Sequence, residues 1–251
     1  MKIAIIGCGW VGKKLAEYLT GKGHHVIATT TSPDKIQELK TVAAEAHLLD
    51  FTKDSGSQFL NDTDAAIFSM PISHSSWFKG FEEMQNSFPK TILFSSTGIY
   101  PQENRIFTEK DTTNLRPDIA AAEKTVTEKY PQTNILRFGG LMGGERSLQN
   151  FFRNKEISNP EKRVNYIHYE DIVAIVELLI DSDKASGIYN VVAPEHPAMG
   201  EVLNKKEAYA VDSYDSGQRI ISSELLIKEF NYTFLHPDPK FFLCVSPENK
   251  G

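Results

Sequence analysis

Apolar positions along the first 140 residues follow two alternating rhythms. Short, nearly continuous runs rich in Ile, Val, Ala and Leu predict strands at 2–7, 25–30, 46–50, 65–70, 91–96 and 134–139. Amphipathic stretches between them predict helices at 11–22, 33–40, 76–87 and 118–129, and Val11, Leu15, Ala16 and Leu19 share one face of the first. Trp77, Met84 and Phe88 follow helical spacing and read as core. Apolar strands alternating with helices predict an α/β fold, a doubly wound parallel sheet covered on both faces. Right-handed crossovers then put a ligand crevice beyond the carboxyl ends of the first and fourth strands.

Beyond residue 140 the regularity weakens. Gly139, Gly140, Gly143 and Gly144 read as a loop, followed by a polar stretch to about 163. A strand and helix follow in N-Y-I-H-Y-E-D-I-V-A-I-V-E-L-L-I, then a strand in G-I-Y-N-V-V-A, two further helices after 198 and a Pro-rich end. This pattern divides the chain into residues 1–145, a nucleotide-binding sheet domain, and 146–251, a small discontinuous substrate-side lobe with elements returning to the sheet.

Composition narrows the classes of function. With 251 residues and 40% hydrophobic content the chain can bury a full core without disulfide or metal. Formal charge is −6 and no basic cluster is present, so nucleic acid is not an expected partner. The opening Met1-Lys2-Ile3 enters a strand at once, and no run approaches the length of a membrane span; a soluble, cytoplasmic protein is expected, with no membrane partner. Two cysteines, Cys8 and Cys244, give neither a disulfide framework nor a metal spacing, and no metal is expected.

The candidate chemistry starts at Gly7, Gly9 and Gly12, which stand at G-x-G-x-x-G spacing between a strand and a helix. The first glycine permits the turn, the second lets a pyrophosphate reach the backbone, and the third lets helix and strand pack closely. The helix start at Trp10 and Val11 offers N–H groups and a positive dipole end to phosphates. A nicotinamide dinucleotide on a Rossmann fold is the expected ligand.

The end of the second strand normally carries an acid that binds the ribose hydroxyls of NAD. This chain reads Thr30, Thr31, Ser32 there, with Lys35 close by, which favours NADP while leaving NAD open; a solvated turn with Ser32 capping Pro33 explains the same residues. Asp50, ahead of Phe51 at the end of the third strand, either accepts from an adenine amino group or caps the following turn.

These residues carry a resemblance. G-C-G-W-V-G, L-L-D-F-T, L-F-S-S-T-G-I-Y-P, F-T-E, R-F-G-G-L-M-G, Y-I-H-Y-E-D-I and G-I-Y-N-V-V-A together resemble an atypical short-chain dehydrogenase/reductase of the extended, epimerase/dehydratase-like branch. The resemblance implies that Met70 and Pro71 line the dinucleotide, that Ser95 and Ser96 sit beside the nicotinamide, and that Leu141 and Met142 pass near it. It also implies a Tyr-x-x-x-Lys helix with a polarising Ser or Thr. Ser96 matches the last of these and Lys124 the lysine, with a ribose contact; the tyrosine position holds Ala120. Tyr100 is the nearest alternative phenol.

His168 matches a loop-fixing histidine, flanked by Tyr166 and Tyr169, and Glu109 matches an acid near the substrate loop. Arg137 and Arg146 are either forks for an anionic substrate or ordinary partners for acids.

The expected function is an NAD(P)-binding oxidoreductase or epimerase/dehydratase-like enzyme acting on a small polar, sugar-derived substrate, as monomer or homodimer. The alternative, motivated by Ala120, is a catalytically silent dinucleotide-binding sensor or regulator.

Overall fold

The computed structural model describes residues 1–53, 56–147, 150, 159–184, 186–203 and 218–242. Cys244 and the stretch 204–217 of the expected C-terminal lobe lie outside them.

The first five strands fall where the apolar runs predict: β1 (Lys2–Ile6), β2 (His25–Thr30), β3 (Glu45–Leu48), β4 (Ala65–Phe68) and β5 (Lys90–Ser96). After β6 (Ile106–Phe107) come β7 (Asn134–Phe138), β8 (Gly140–Met142), β9 (Tyr166–His168), β10 (Ile188–Val191) and β11 (Ile220–Ile221). The main sheet has seven strands in the order β10-β7-β5-β4-β1-β2-β3. β1 pairs parallel with β2 and β4, β2 with β3, and β4 with β5. Strand order reverses between β1 and β4, which opens a crevice at their carboxyl ends.

The helices are α1 (Trp10–Gly21), α2 (Ile36–Leu39), α3 (Phe78–Glu83), α4 (Pro117–Lys129), α5 (Tyr169–Asp181), α6 (Met199–Val202) and α7 (Glu224–Phe230). α1 buries Val11, Leu15, Ala16 and Leu19, the expected face. The helix expected at 33–40 divides into a 3₁₀ turn at Pro33–Lys35 and the single turn α2. The one expected at 76–87 stops early because Met84 turns extended, while Trp77, Phe81, Met84 and Phe88 all stay buried. Their packing continues past the end of the helix. Phe68 lies edge-on to Phe81 at 5.1 Å and stacks on Tyr130 at 5.4 Å.

Spatial contacts divide the chain into two units. One is 1–99 with 115–137 and 173–188; the other is 100–114 with 138–172 and 189–251. In the second unit, Gly140–Met142, expected as part of a loop, forms β8 and pairs parallel with β9. A Cβ on Gly140 would stand 2.2 Å from Cδ1 of Tyr166, so the glycine is there to admit the tyrosine ring. β6 and β11 pair over two residues each, too short a run to leave a period in the sequence. Among the described residues no helix is long and apolar enough to cross a membrane.

Candidate functional site

The three glycines of the turn have three different surroundings. Gly7 has φ +84°, the left-handed region, and a Cβ there would meet Met70 N and Ser69 O at 3.1 Å. Gly12 lies against the strand: its Cβ would stand 3.2 Å from Cys8 Sγ and from Ile5 Cγ2. Gly9 faces open space, with nothing within 4 Å of the Cβ position. The turn is fastened from β2, since Thr29 Oγ1 accepts from Gly7 N at 3.0 Å and Thr29 O accepts from Cys8 N at 2.7 Å. Cys8 is buried beneath it, and burial pushes its thiol up to about 12, so it is a small packing residue and not a nucleophile. Trp10 and Val11 form the first turn of α1, whose leading N–H groups lack intrahelical acceptors.

Above the turn lies a cleft of about 380 Å³. Gly7, Gly9, Thr30, Thr31, Ser32 and Lys35 line one end of it. Asp50, Phe51, Met70 and Pro71 line the other, joined by Cys8, Ser69, His74 and Ser76, which were not among the expected cofactor contacts. His74 and Ser76 come from an aperiodic segment after β4; only their nearness to Met70-Pro71 pointed to them. Thr30 Oγ1 accepts from Ser32 N at 3.1 Å, and the Ser32 side chain makes no cap bond to the 3₁₀ turn it precedes. Asp50 caps the next turn through Thr52 N at 3.0 Å and Thr52 Oγ1 at 2.7 Å, and these bonds hold its carboxyl below the usual range. Its flank still lines the cleft.

A dinucleotide fits this cradle on the structure's own terms. The position a second-glycine Cβ would occupy is empty, the helix start lies beside it, and the one acid on the cleft wall among the described residues, Asp50, is turned to its own loop. A larger cleft of about 560 Å³, lined by residues 51–53, 56–58 and 61 and by 79, 80 and 83–86, has no such cradle among the described residues. There Asn86 donates to Ser57 O and Asn61 Oδ1 and accepts from Ser57 Oγ, so these amides and hydroxyls are spent on one another.

Around β5 and α4 several expected roles change. Ser96 stands at the end of β5 and its Oγ accepts from Gly98 N at 3.0 Å, which leaves the hydroxyl proton to donate elsewhere. Ser95, expected beside the nicotinamide, points instead into the layer under α4 and donates to Glu123 Oε1 at 2.6 Å. Arg137 is not a substrate fork but a buried partner: Nε and Nη2 bond Glu123 Oε1 and Oε2 at 2.9 and 2.7 Å. α4 buries Ile119, Ala122, Glu123 and Val126, so Lys124 falls on the opposite side, 72% exposed and paired with Glu128 at 3.5 Å. A helix turns about 100° per residue, so Lys124 does not share the core-facing side of Ile119 and Glu123, and it is not among the residues that line the cleft over Gly9.

Tyr100 is not placed as a proton donor either. It is 1% exposed, stacks on Phe107 and donates its phenol proton to Asn190 Oδ1 at 2.8 Å. Tyr100→Phe is expected to lower stability by about 1–3 kcal/mol, by leaving that buried oxygen without its donor. Urea unfolding measures this; dinucleotide affinity is expected to stay the same.

In the second unit Glu109 Oε1 accepts from Asn190 N at 2.7 Å, and the backbone of Arg146 pairs with Gly143. Leu141 and Met142 lie in β8, and Met142 packs on Val164 and Val202 with Tyr166. His168, at the end of β9, is buried; burial first and the neighbouring His236 second hold its imidazole down to about 4, so it is neutral.

Comparison with known proteins agrees with this geometry. Residues 2–93 match the family model described as NADP oxidoreductase coenzyme F420-dependent. Protein YeeZ of Escherichia coli K12 is 29% identical over 95% of this chain and 97% of its own length. The epimerase family protein YfhF of Bacillus subtilis 168 is 25% identical over 77% of this chain and 75% of its own. Among solved structures, the Bordetella bronchiseptica enzyme WbmG in complex with NAD superposes with TM-score 0.73 at 14% identity, covering 96% of this chain and 91% of WbmG. The seven-stranded sheet, its switch point and the glycine turn thus make the chain's fold a Rossmann fold, the fold of the solved structures with which it superposes.

Proposed function

We propose that the chain binds NADP in the cleft over Gly9 and serves as an oxidoreductase or epimerase-like enzyme on a small polar, sugar-derived substrate. The observation that carries the cofactor reading is the open Cβ position of Gly9 beside the start of α1. The preference for NADP rests on the end of β2, where Thr31, Ser32 and Lys35 line the cleft and, among the described residues, no acid of that strand end does. The family model matched at residues 2–93 is described by NADP, while WbmG was solved with NAD and with NAD and UDP. The last of these supports a nucleotide-sugar as substrate class. We further assign cofactor binding to residues 1–145 and substrate contacts to 146–251.

A bound dinucleotide supplies a hydride donor or acceptor. In this proposal Ser96 holds and polarises a substrate oxygen, since its lone pair is engaged by Gly98 N while its proton is available. Lys35 pairs with the ribose phosphate. Lys35→Ala is expected to weaken NADPH binding by about tenfold, the value of one charge-assisted hydrogen bond, and to leave NADH binding unchanged. Titration calorimetry with both reduced cofactors decides; equal loss for the two would remove the phosphate role.

A second reading is favoured by specific observations: Ala120 cannot exchange a proton, Tyr100 is committed to Asn190, and Lys124 faces solvent. In this reading the chain is a silent dinucleotide sensor. A sensor must bind the oxidised and reduced forms with different affinity, because equal affinities shift no equilibrium. Absence of turnover on a carbonyl and nucleotide-sugar panel, together with such a difference, selects it over the enzyme.

A further inference from the structure

Three side chains that neither reading uses meet in the second unit. His168 comes from the end of β9, Glu170 from the first turn of α5, and His236 from the segment after α7. One ligand atom from each can be chosen so that all three lie within 4.8 Å of one another. We propose that His168, Glu170 and His236 form a binding site for a divalent transition metal of the zinc class, a clasp that ties the segment around His236 to the start of α5.

The donor set suits that chemistry. Two imidazoles and one carboxylate are ligands that zinc accepts, with a fourth position left to water. Glu170 Oε2 stands 2.6 Å from His236 Nε2 and 3.8 Å from His168 Nδ1. Those separations bracket the roughly 3.4 Å between two ligands of a tetrahedral ion with bonds of about 2.0–2.2 Å. The two imidazole rings are 3.8 Å apart between centroids, so a small rotation of either converges their nitrogens. Bringing in the ion displaces the proton between Glu170 and His236, and its cost includes the long bond, 3.3 Å, that His168 Nδ1 now accepts from Glu170 N.

The frame around the three ligands is already fixed. Asp171, wholly buried, accepts from His236 N at 3.0 Å, Leu235 N at 2.7 Å and the Tyr232 hydroxyl at 2.9 Å. It thereby pins the backbone carrying His236 against the turn carrying Glu170. On the other side Gly143, at φ +110°, gives His168 its room: a Cβ there would stand 2.3 Å from Nε2. A carboxylate shared by two neighbouring imidazoles, only one of which it bonds closely, is better satisfied by a cation than by a single proton.

The test uses the full chain, stripped with EDTA and titrated with Zn(II) by calorimetry and with Co(II) by visible spectroscopy. One Zn(II) per chain, a rise in melting temperature and the d–d bands of a low-coordinate Co(II) site are expected. His236→Gln and Glu170→Gln should each weaken Zn(II) binding by at least the roughly 10- to 100-fold that loss of an outer-shell partner costs, and should alter the Co(II) bands. Melting of each variant without metal checks its fold. If His236→Gln does not fold, Glu170→Gln, whose side chain is 46% exposed, carries the comparison. Absence of Zn(II) binding by the parent chain, or equal affinity in the folded variants, overturns the site. Dinucleotide affinity, measured in the same variants, is expected to be unchanged and separates this result from failure of the cofactor proposal.

Discussion

Gly9→Ala is expected to abolish measurable dinucleotide binding while leaving the melting temperature where it was. The backbone at Gly9 has φ −86°, open to any residue, and the added methyl meets nothing in the protein within 4 Å. Folding therefore has nothing to lose. The methyl would instead occupy the space through which a pyrophosphate reaches the helix start. Loss of two charge-assisted hydrogen bonds, at about 1.5–3 kcal/mol each, weakens binding by about 10²- to 10⁴-fold.

Gly12→Ala should behave in the opposite way, lowering stability by about 1–3 kcal/mol through overpacking, because its methyl is forced against Cys8 and Ile5 at 3.2 Å. Calorimetry with NADP(H) and thermal melting of the two variants give the comparison. If Gly9→Ala bound as tightly as the parent chain, the cleft would not be a pyrophosphate cradle.

The second large effect lies in the core. Glu123→Ala or Arg137→Ala should destabilise the chain by about 3–5 kcal/mol, since each strands a charge in a layer where the two side chains are only 8% and 4% exposed. That is a large share of the roughly 5–15 kcal/mol that holds a typical domain. Replacing both with methionine removes the charges together and should recover most of the loss. Urea unfolding of the two single variants and the double variant reads this directly. Single losses below about 1 kcal/mol would mean that the pair is solvated and that its bidentate geometry does not govern stability.

How much of this could be read along the chain depended on how local the cause was. The strands and α1 were legible because their apolar spacing is a consequence of facing a core, and Gly7 because only a left-handed turn fits between β1 and α1. β6, β8 and β11 were not: two or three residues carry no period, and Gly140 is there to admit the ring of Tyr166. The candidate site divided along the same line. Gly7, Gly9, Thr30, Thr31, Ser32, Lys35, Asp50, Phe51, Met70 and Pro71 fall at the ends of consecutive parallel strands, and all line one cleft. Ser95 and Lys124 were assigned by motif position and Tyr100 as the nearest phenol along the chain, and neither criterion says which way a side chain turns.

By itself, then, the sequence determined the doubly wound sheet and the place of its glycine turn, because hydrophobic period and backbone chirality act between near neighbours in the chain. The partners of the polar groups were decided only by tertiary structure. α4 had to meet the sheet before Glu123 rather than Lys124 lay inward. Arg137, 14 residues away, then became the partner that makes that burial tolerable. In the same way Glu170 and His236 are 66 residues apart, and no spacing rule joins them. Their meeting follows from buried Asp171, which the fold places where it can hold both backbones at once.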